Sequence, residues 1–488
     1  MATVLTQLLD ADVVSSSDPS QVTVTGITAD SRKVLPGFLF AALPGTKADG
    51  ARFVADAITA GAAAILLGDT AHLPVGGNIP IIRVPEPRLA LARIAARFYG
   101  PGPETIVAVT GTSGKTSVAE FTRQIFATLG HQAASLGTIG VVKPDGAVYG
   151  SLTTPDPVTL AKALADLRAQ GITHLALEAS SHGLDQYRLD GVTLKAGAFT
   201  NLGRDHMDYH PTVEHYFDAK LRLFTHLLPN GACAVINADD PWAPKVETAA
   251  RAHNVPILSV GAAGQTLTLG KVTPQGFGQQ LEISHNGHTY TVNLPLVGTY
   301  QASNALVAAG LAIATGAQAT AVIAALTKLH GVKGRLEIIG RAKGGLGVVD
   351  YAHKPEALDA ALTALRPFAP GKLICVFGCG GDRDRGKRPI MGAISAAKAD
   401  ITIVTDDNPR TEDAAAIRAE VLSGATGAQE IGDRAEAIRA AVAMMGPGDV
   451  VLVAGKGHET GQIVGTTVLP FSDHDMLAAA MTKAEIAQ

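Results

Sequence analysis

Cysteine is scarce: Cys233, Cys375 and Cys379 are the only three in 488 residues, an odd number without CxxC spacing. Neither a disulfide framework nor a paired-cysteine metal site is expected, and a cytoplasmic, disulfide-free enzyme is the natural reading. Long apolar runs are missing as well, since stretches such as 62–67 fall far short of the roughly 20 residues of a membrane span. There is no basic excess. The formal net charge of −4 argues against bulk nucleic-acid binding and leaves room only for a local basic pocket that takes anionic ligands. Residues 1–12 contain no basic side chain and carry Asp10 and Asp12, so no secretory leader is expected. Sequence repeats and low-complexity tracts are also absent.

What is present is a globular composition, 47% hydrophobic and 17% charged, in a chain too long for one core. About three domains is the prior. The turn-rich join Pro101-Gly102-Pro103 and the stretch Val332-Lys333-Gly334 divide it into 1–100, 101–333 and 334–488. From 101 onward apolar strands alternate with helical patterns, at 173–178, 214–228, 232–237 and 240–252, as in a parallel α/β sheet. Short alternating runs over 266–296, with Asn286-Gly287 among their turns, read as an antiparallel insert before helices at 301–315 and 319–329. Alternation restarts with strands at 346–350, 372–377, 401–405 and 450–454.

The densest chemistry lies at 107–121, VAVTGTSGKTSVAEF. An apolar run, Ile106 to Val109, leads through a glycine loop into a helix on which Val118, Phe121, Ile125 and Leu129 recur at helical spacing. In such a strand–loop–helix join, Gly111, Thr112, Ser113 and Gly114 let backbone N–H groups curl round a phosphate. The helix N-terminus adds its dipole, Lys115 supplies charge and Thr116 is suited to magnesium. Val109 stands where the strict G-x-x-x-x-G-K-[ST] pattern has its first glycine, so the match is to a shorter variant. Further polar groups follow other strands. Glu178 ends a strand where α/β sheets place ligands, and Asp205, His206, Asp208 and His210 form an oxygen- and imidazole-rich cluster that reads either as a hydrogen-bonded loop or as a magnesium site. Lys220 lies in an amphipathic helix and, on pattern alone, is a solvated lysine. Four charged clusters each follow a strand of 334–488 and should gather along one sheet edge. Within them Arg383, Arg385, Lys387 and Arg388 read as a solvated basic patch.

A phosphate loop serves either a switch protein or an ATP-consuming enzyme. The D-x-x-G element of a GTPase is missing after the loop, and the only guanine-reading [NT]KxD match, Thr46-Lys47-Ala48-Asp49, lies on its wrong side. The acidic and histidine groups beyond the loop favour the enzyme.

In order along nearly the whole chain, GTSGKT, EASSHGL, TNLGRDHMDYH, YFDAKLRLF, GRLE, DYAHKPEAL, GCGGDRDRGKRP, DNPR and GKGHE closely resemble the Mur ligases. The resemblance implies an N-terminal domain for a UDP-linked substrate, a central P-loop ATPase built on a parallel sheet, and a C-terminal Rossmann-like domain for an amino acid. It also implies an ADP-forming amide ligase of cytoplasmic peptidoglycan precursor synthesis, working as a monomer with magnesium. Such an enzyme adds meso-diaminopimelate, or alternatively L-lysine, to UDP-N-acetylmuramoyl-L-alanyl-D-glutamate. By the same resemblance, Gly111, Thr112, Ser113, Gly114, Lys115, Thr116 and Ser117 hold the ATP phosphates, with Asn304, Arg335 and Asp350 also on the nucleotide. Thr116, Glu178, His206 and Lys220, the last as a carbamate, serve magnesium, and Lys115, Lys220, Glu178 and His206 are the catalytic set. Ser31, Thr153, Thr154, Ser180, Gln186 and Arg188 fall on the UDP substrate, while Arg383, Asp407, Asn408, Pro409, Arg410, Gly455 and Glu459 fall on diaminopimelate. Thr46-Lys47 stands where relatives often carry His-Gln, Tyr300-Gln301 replaces the usual Phe-Asn, and Lys354 has no assigned role.

Overall fold

The parallel-sheet reading of the middle of the chain is realised strand by strand in the computed structural model, which describes residues 2–10, 14–45, 49–71, 79–148 and 152–486. Thr46 and Lys47 lie outside these residues, as does Asp12. The chain forms two compact units, Met1–Ser259 with Gly310–Ala317, and Val260–Ala309 with Gln318–Gln488.

The first unit contains two larger sheets and a two-stranded ribbon of Thr3–Val4 with Thr23–Val24. The N-terminal one has five strands in the spatial order Val14–Ser15, Ile81–Val84, Ala64–Gly68, Phe38–Ala42 and Gly26–Thr28, all parallel except the first. Its helix Pro87–Tyr99 buries Leu91, Ile94 and Phe98 on that sheet and packs against the helix Pro157–Ala169 of the second sheet. Gly191 permits a close approach here, since a Cβ on it would stand 2.5 Å from the Ala92 carbonyl oxygen. The second sheet places Thr105–Thr110 between His174–Glu178 and Ala196–Phe199, with Ala133–Gly137 and Cys233–Asn237 outside them, all parallel. Two helix ends differ from their patterns for local reasons. The run expected at 240–252 begins at Ala243, because Asp240 turns back to accept from the Trp242 and Leu202 N–H groups. The helix expected over 214–228 is α-helical only over Val213–Arg222 and widens to a π-turn over Leu223–Leu227, which buries Leu223, Phe224 and Leu227 in the core.

In the second unit the antiparallel insert is Leu267–Gln275, Gly278–His285 and His288–Leu294, with Asn286 and Gly287 both left-handed at the last turn, the geometry a two-residue hairpin needs. The six-stranded sheet runs Glu337–Ala342, Gly345–Asp350, Val450–Ala454, Leu373–Phe377, Ile401–Val404 and Gln429–Glu430, parallel but for the first strand. Parallel alignment brings the residues after strands 345–350, 450–454, 373–377 and 401–404 to one edge, as the sequence pattern implied. No helix among the described residues is long and apolar enough to cross a membrane.

Candidate active site

The glycine loop is shaped by its neighbour strand. Gly111 has φ of 149°, and a Cβ there would stand 1.9 Å from Thr200 Oγ1, so only glycine fits. Thr200 Oγ1 donates to the Ser113 carbonyl at 2.7 Å, and Asn201 Oδ1 accepts from the Ser113 N–H at 2.9 Å. Gly114, left-handed at φ 85°, opens the helix Lys115–Thr128, whose first turn carries the buried Thr116 and Ser117. The loop is thus preorganised with a helix N-terminus beneath it. Lys115 Nζ arches back to the carbonyls of Gly111 at 2.9 Å and Thr112 at 3.0 Å.

Lys220 is not a solvated helix lysine. It is 1% exposed, donates to the Gly111 carbonyl at 2.7 Å, and lies 4.2 Å from the centre of the Tyr216 ring. Burial, reinforced by the positive charge of Lys115, holds its amine well below the usual lysine range. Tyr216 completes the enclosure through a 3.2 Å hydroxyl contact with Thr112 Oγ1.

Glu178 is buried as well: it is 1% exposed, and Oε1 accepts from the Thr138 N–H at 2.8 Å while Oε2 accepts from Thr138 Oγ1 at 3.3 Å. Thr138 also contacts Thr153 Oγ1 at 3.0 Å. Thr154 Oγ1 donates to the Glu178 carbonyl and accepts from the Ser180 N–H, and Arg188 donates to the Thr154 carbonyl at 2.6 Å and to Gln186 Oε1 at 2.8 Å. Glu178, Thr153, Thr154, Ser180, Gln186 and Arg188 are therefore one hydrogen-bonded network. Gln186 and Arg188 line a cleft of about 440 Å³ together with Lys33, Arg88 and Asp156. Ser31 opens a short helical turn between two residues of that lining, Asp30 and Lys33. His206, left-handed at φ 56°, stacks edge-on against His182 with ring centres 4.8 Å apart. Buried beside them, His210 is pushed down to about 4 chiefly by desolvation. Among the described residues no three His, Cys, Asp or Glu side chains form a metal-holding group. Thr116, Glu178, His206 and Lys220 contain only two such residues, so they fit a cation only with further oxygens from a phosphate ligand and from a modified lysine.

In the second unit Asp350 ends its strand buried, and Oδ2 accepts from the Leu336 N–H at 2.7 Å. Burial raises its carboxyl to about 6 against the opposing pull of Arg335. The Arg335 guanidinium lies 5.1 Å from the centre of the Tyr351 ring. Asn304 is held by Gln301 Oε1 at 2.9 Å, and Gln301 reaches the Arg335 carbonyl at 3.3 Å.

The 405–410 loop is clamped from two sides. Gly381 N–H donates to the Asn408 carbonyl at 2.9 Å, and a Cβ on Gly381 would meet the Pro409 carbonyl oxygen at 1.9 Å. On the other side the hairpin of Gly461–Val464 and Thr467–Pro470 exchanges backbone bonds with Arg410, at 3.0 Å from its N–H and 2.7 Å to its carbonyl. Arg410, left-handed at φ 52°, sends its guanidinium to the Gly381 carbonyl at 2.9 Å. Asp407, Asn408, Gly455 and Glu459 assemble beside it, a Cβ on Gly455 falling 2.7 Å from Asp407 Oδ2. Arg383 is exposed and donates to the Asp382 carbonyl at 3.1 Å.

The basic run is not uniformly solvated. Arg388 is fully buried and bonded to Glu412 and Glu420 at 2.8–2.9 Å. Sequence reasoning also missed Thr138, which orients Glu178, and Arg434, buried with Asp473 and donating to the Ala454 carbonyl at 2.8 Å. It missed Lys456 too, although the glycines on both sides of that lysine mark a tight strand exit.

Family models cover most of the chain: Mur ligase family, catalytic domain at 23–99, Mur ligase middle domain at 109–312, and Mur ligase, glutamate ligase domain at 334–457. A UDP-N-acetylmuramoyl-L-alanyl-D-glutamate--2,6-diaminopimelate ligase of Agrobacterium fabrum is 57% identical over 470 residues, 96% of this chain and 95% of that protein. The ligase of the same name from Bradyrhizobium diazoefficiens is 57% identical over 481 residues, covering 98% and 99%. A solved structure of a ligase so named is similar at a TM-score of 0.73 and 32% identity, over 99% of each chain.

Proposed function

Because the chain belongs to the Mur ligase family, we propose that it joins meso-diaminopimelate to UDP-N-acetylmuramoyl-L-alanyl-D-glutamate, cleaving ATP to ADP and phosphate. The observation that carries the reading is the buried contact of Lys220 with the glycine loop, which gives an ATP site a second lysine whose amine is open to modification. A switch protein has no use for that arrangement.

The terminal carboxylate of the dipeptide attacks the γ-phosphorus in line, the bond to the β-bridging oxygen breaks, and ADP leaves with that electron pair. The resulting acyl phosphate is attacked by the neutral amine of the amino acid. Phosphate departs, one amine proton is lost, and an amide remains. Carboxylate and ATP are both anionic, so the first step requires charge neutralisation, in which Lys115 and the N–H groups of Gly111 to Ser117 take part. Magnesium, when bound, supplies further neutralisation, with Thr116, Glu178 and His206 as its holders. An ammonium repels a cation. The depressed basicity of Lys220 favours the neutral amine that adds CO2 and loses a proton to give a carbamate, an oxygen donor. Ser31, Thr153, Thr154, Ser180, Gln186 and Arg188 are assigned to the UDP substrate, and Asn304, Arg335 and Asp350 to the nucleotide. In the second unit, Arg383, Asp407, Asn408, Pro409, Arg410, Gly455 and Glu459 are assigned to diaminopimelate. Its far carboxylate matches the Arg410 guanidinium, whereas lysine would bring an ammonium there. The reading takes the domains as 1–100, 101–333 and 334–488 and the enzyme as a cytoplasmic monomer.

The test is ADP release with the UDP-linked dipeptide present while candidate amino acids are scanned. Release that depends on diaminopimelate and collapses in Arg410→Ala is expected. Equal use of lysine by the wild type overturns the amino-acid assignment and leaves the ligase; release that needs no acceptor overturns both.

A further inference from the structure

The amino-acid side of the second unit contains a cation that the chemistry above leaves unused. Lys456 follows the strand Val450–Ala454 directly after Gly455 and is fully buried. Its Nζ donates to Asn408 Oδ1 at 2.8 Å and to Glu459 Oε2 at 3.1 Å, and lies 3.8 Å from Asp407 Oδ1. A buried ammonium is costly unless its protons are received and its charge is paired. Here both conditions are met by residues from two different strand-end loops.

Those contacts remove the freedom of their partners. Asn408 Oδ1 also accepts from the Ile463 N–H at 2.9 Å, so its amide cannot flip, and its NH2 donates to Glu459 Oε2 at 3.0 Å. Glu459 Oε2 therefore receives two donors, while Oε1, on a side chain 33% exposed, has no hydrogen-bond partner among the described residues. Asp407 and Glu459 set two negative charges against the positive charges of Lys456 and Arg410, so the group is balanced, and the unbonded Glu459 Oε1 is free to face a cationic group of a ligand.

We infer that Lys456 is a positioning residue of the amino-acid site, locking Asn408 and Glu459 into one rigid pair so that Glu459 Oε1 stays available to the ammonium of the incoming amino acid. The inference rests on the amino-acid-ligase reading above. Without Lys456, Asn408 Oδ1 keeps a single donor, the amide gains freedom to turn, and Glu459 loses both its anchor and its charge balance.

The test measures KM for each of the three substrates in wild type, Lys456→Met, Lys456→Gln, Glu459→Gln and the double variant Lys456→Met with Glu459→Gln. KM for diaminopimelate is expected to rise at least tenfold in both Lys456 variants, with KM for ATP and for the UDP-linked dipeptide within twofold of wild type. Glu459→Gln alone should cost at least tenfold in kcat/KM for diaminopimelate, yet less than twofold when added to Lys456→Met, because the pair acts as a unit. Lys456→Gln, which keeps a donor for Asn408, carries the measurement if Lys456→Met is not recovered folded. An unchanged KM for diaminopimelate, a parallel rise in all three KM values, or additive losses overturn the inference. Wild type that turns over no amino acid overturns the ligase reading instead; if it prefers another amino acid, that substrate's KM is the one compared.

Discussion

Lys220 and Asp350 show what one buried charge site does in opposite ways. Lys220 is held as a weak base by desolvation and by Lys115, so the fold disfavours its ammonium. Lys220→Ala is expected to lower turnover at least a hundredfold, about 2.7 kcal/mol of barrier, and a short carboxylic acid added to the assay should restore part of it. Unrescued activity near wild type would remove Lys220 from the site. Asp350 has its carboxyl raised to about 6, chiefly by burial. Its folded value lies above the unfolded 3.8, so the folded state binds the extra proton between these values. The cost of ionising it is therefore absent below 3.8 and fully present above about 6. Asp350→Asn keeps an oxygen for the Leu336 N–H and is expected to raise stability at pH 8 by roughly 1–3 kcal/mol, while KM for ATP rises tenfold or more. Urea unfolding at pH 8 and at pH 4 separates the effects, since the stability gain should vanish at the lower pH.

Among the elements, the strands and helices that carry the site were readable because their apolar residues are fully buried and their ends are marked. The apolar run before Gly111 became the strand Thr105–Thr110, and Val118, Phe121 and Ile125 line the buried face of Lys115–Thr128. The π-turn after Lys220 was not readable, since its five residues are too few for a wider i→i+5 repeat to show against the 3.6-residue period of the helix before it. Arg388 and Lys456 were misread or missed for a related reason: local charge pattern predicts solvent, and it takes Glu412 and Glu420 for Arg388, and Asn408 for Lys456, all remote in sequence, to make burial tolerable. The hairpin ending in Thr467–Pro470 looks like an ordinary surface ornament, yet it bonds to Asp407 through Gln462 at 2.7 Å, to Asn408 through Ile463 and to Arg410 by backbone. Replacing 461–470 by a short glycine linker is expected to raise KM for diaminopimelate at least tenfold and to leave ATP affinity within about twofold. Titration of a non-hydrolysable ATP analogue against both proteins checks the second half.

Over the whole molecule, several histidines are kept neutral by packing. His174, His210 and His458 are each lowered from 6.5 to about 4, with burial the leading cause. The unfolded chain thus binds more protons than the folded one between about 4 and 6.5, so stability rises with pH across that window and is lost as pH falls through it. The urea midpoint should be lower at pH 4.5 than at pH 7, and His210→Gln should flatten the difference; equal midpoints would mean these rings are solvated. Of the three larger sheets, the two from 101 onward were visible in outline, but the five strands of the N-terminal sheet were not, because three of them span only two to four residues, too few for a periodic signal. One feature of this architecture reaches beyond the folded protein. Every single-nucleotide change to a glycine codon that alters its meaning either ends translation or installs a side chain with a Cβ, and at Gly111 a Cβ collides with Thr200. This codon therefore has no viable missense neighbour, and in a saturation library carried through growth selection it should stand as an isolated position from which drift has no exit.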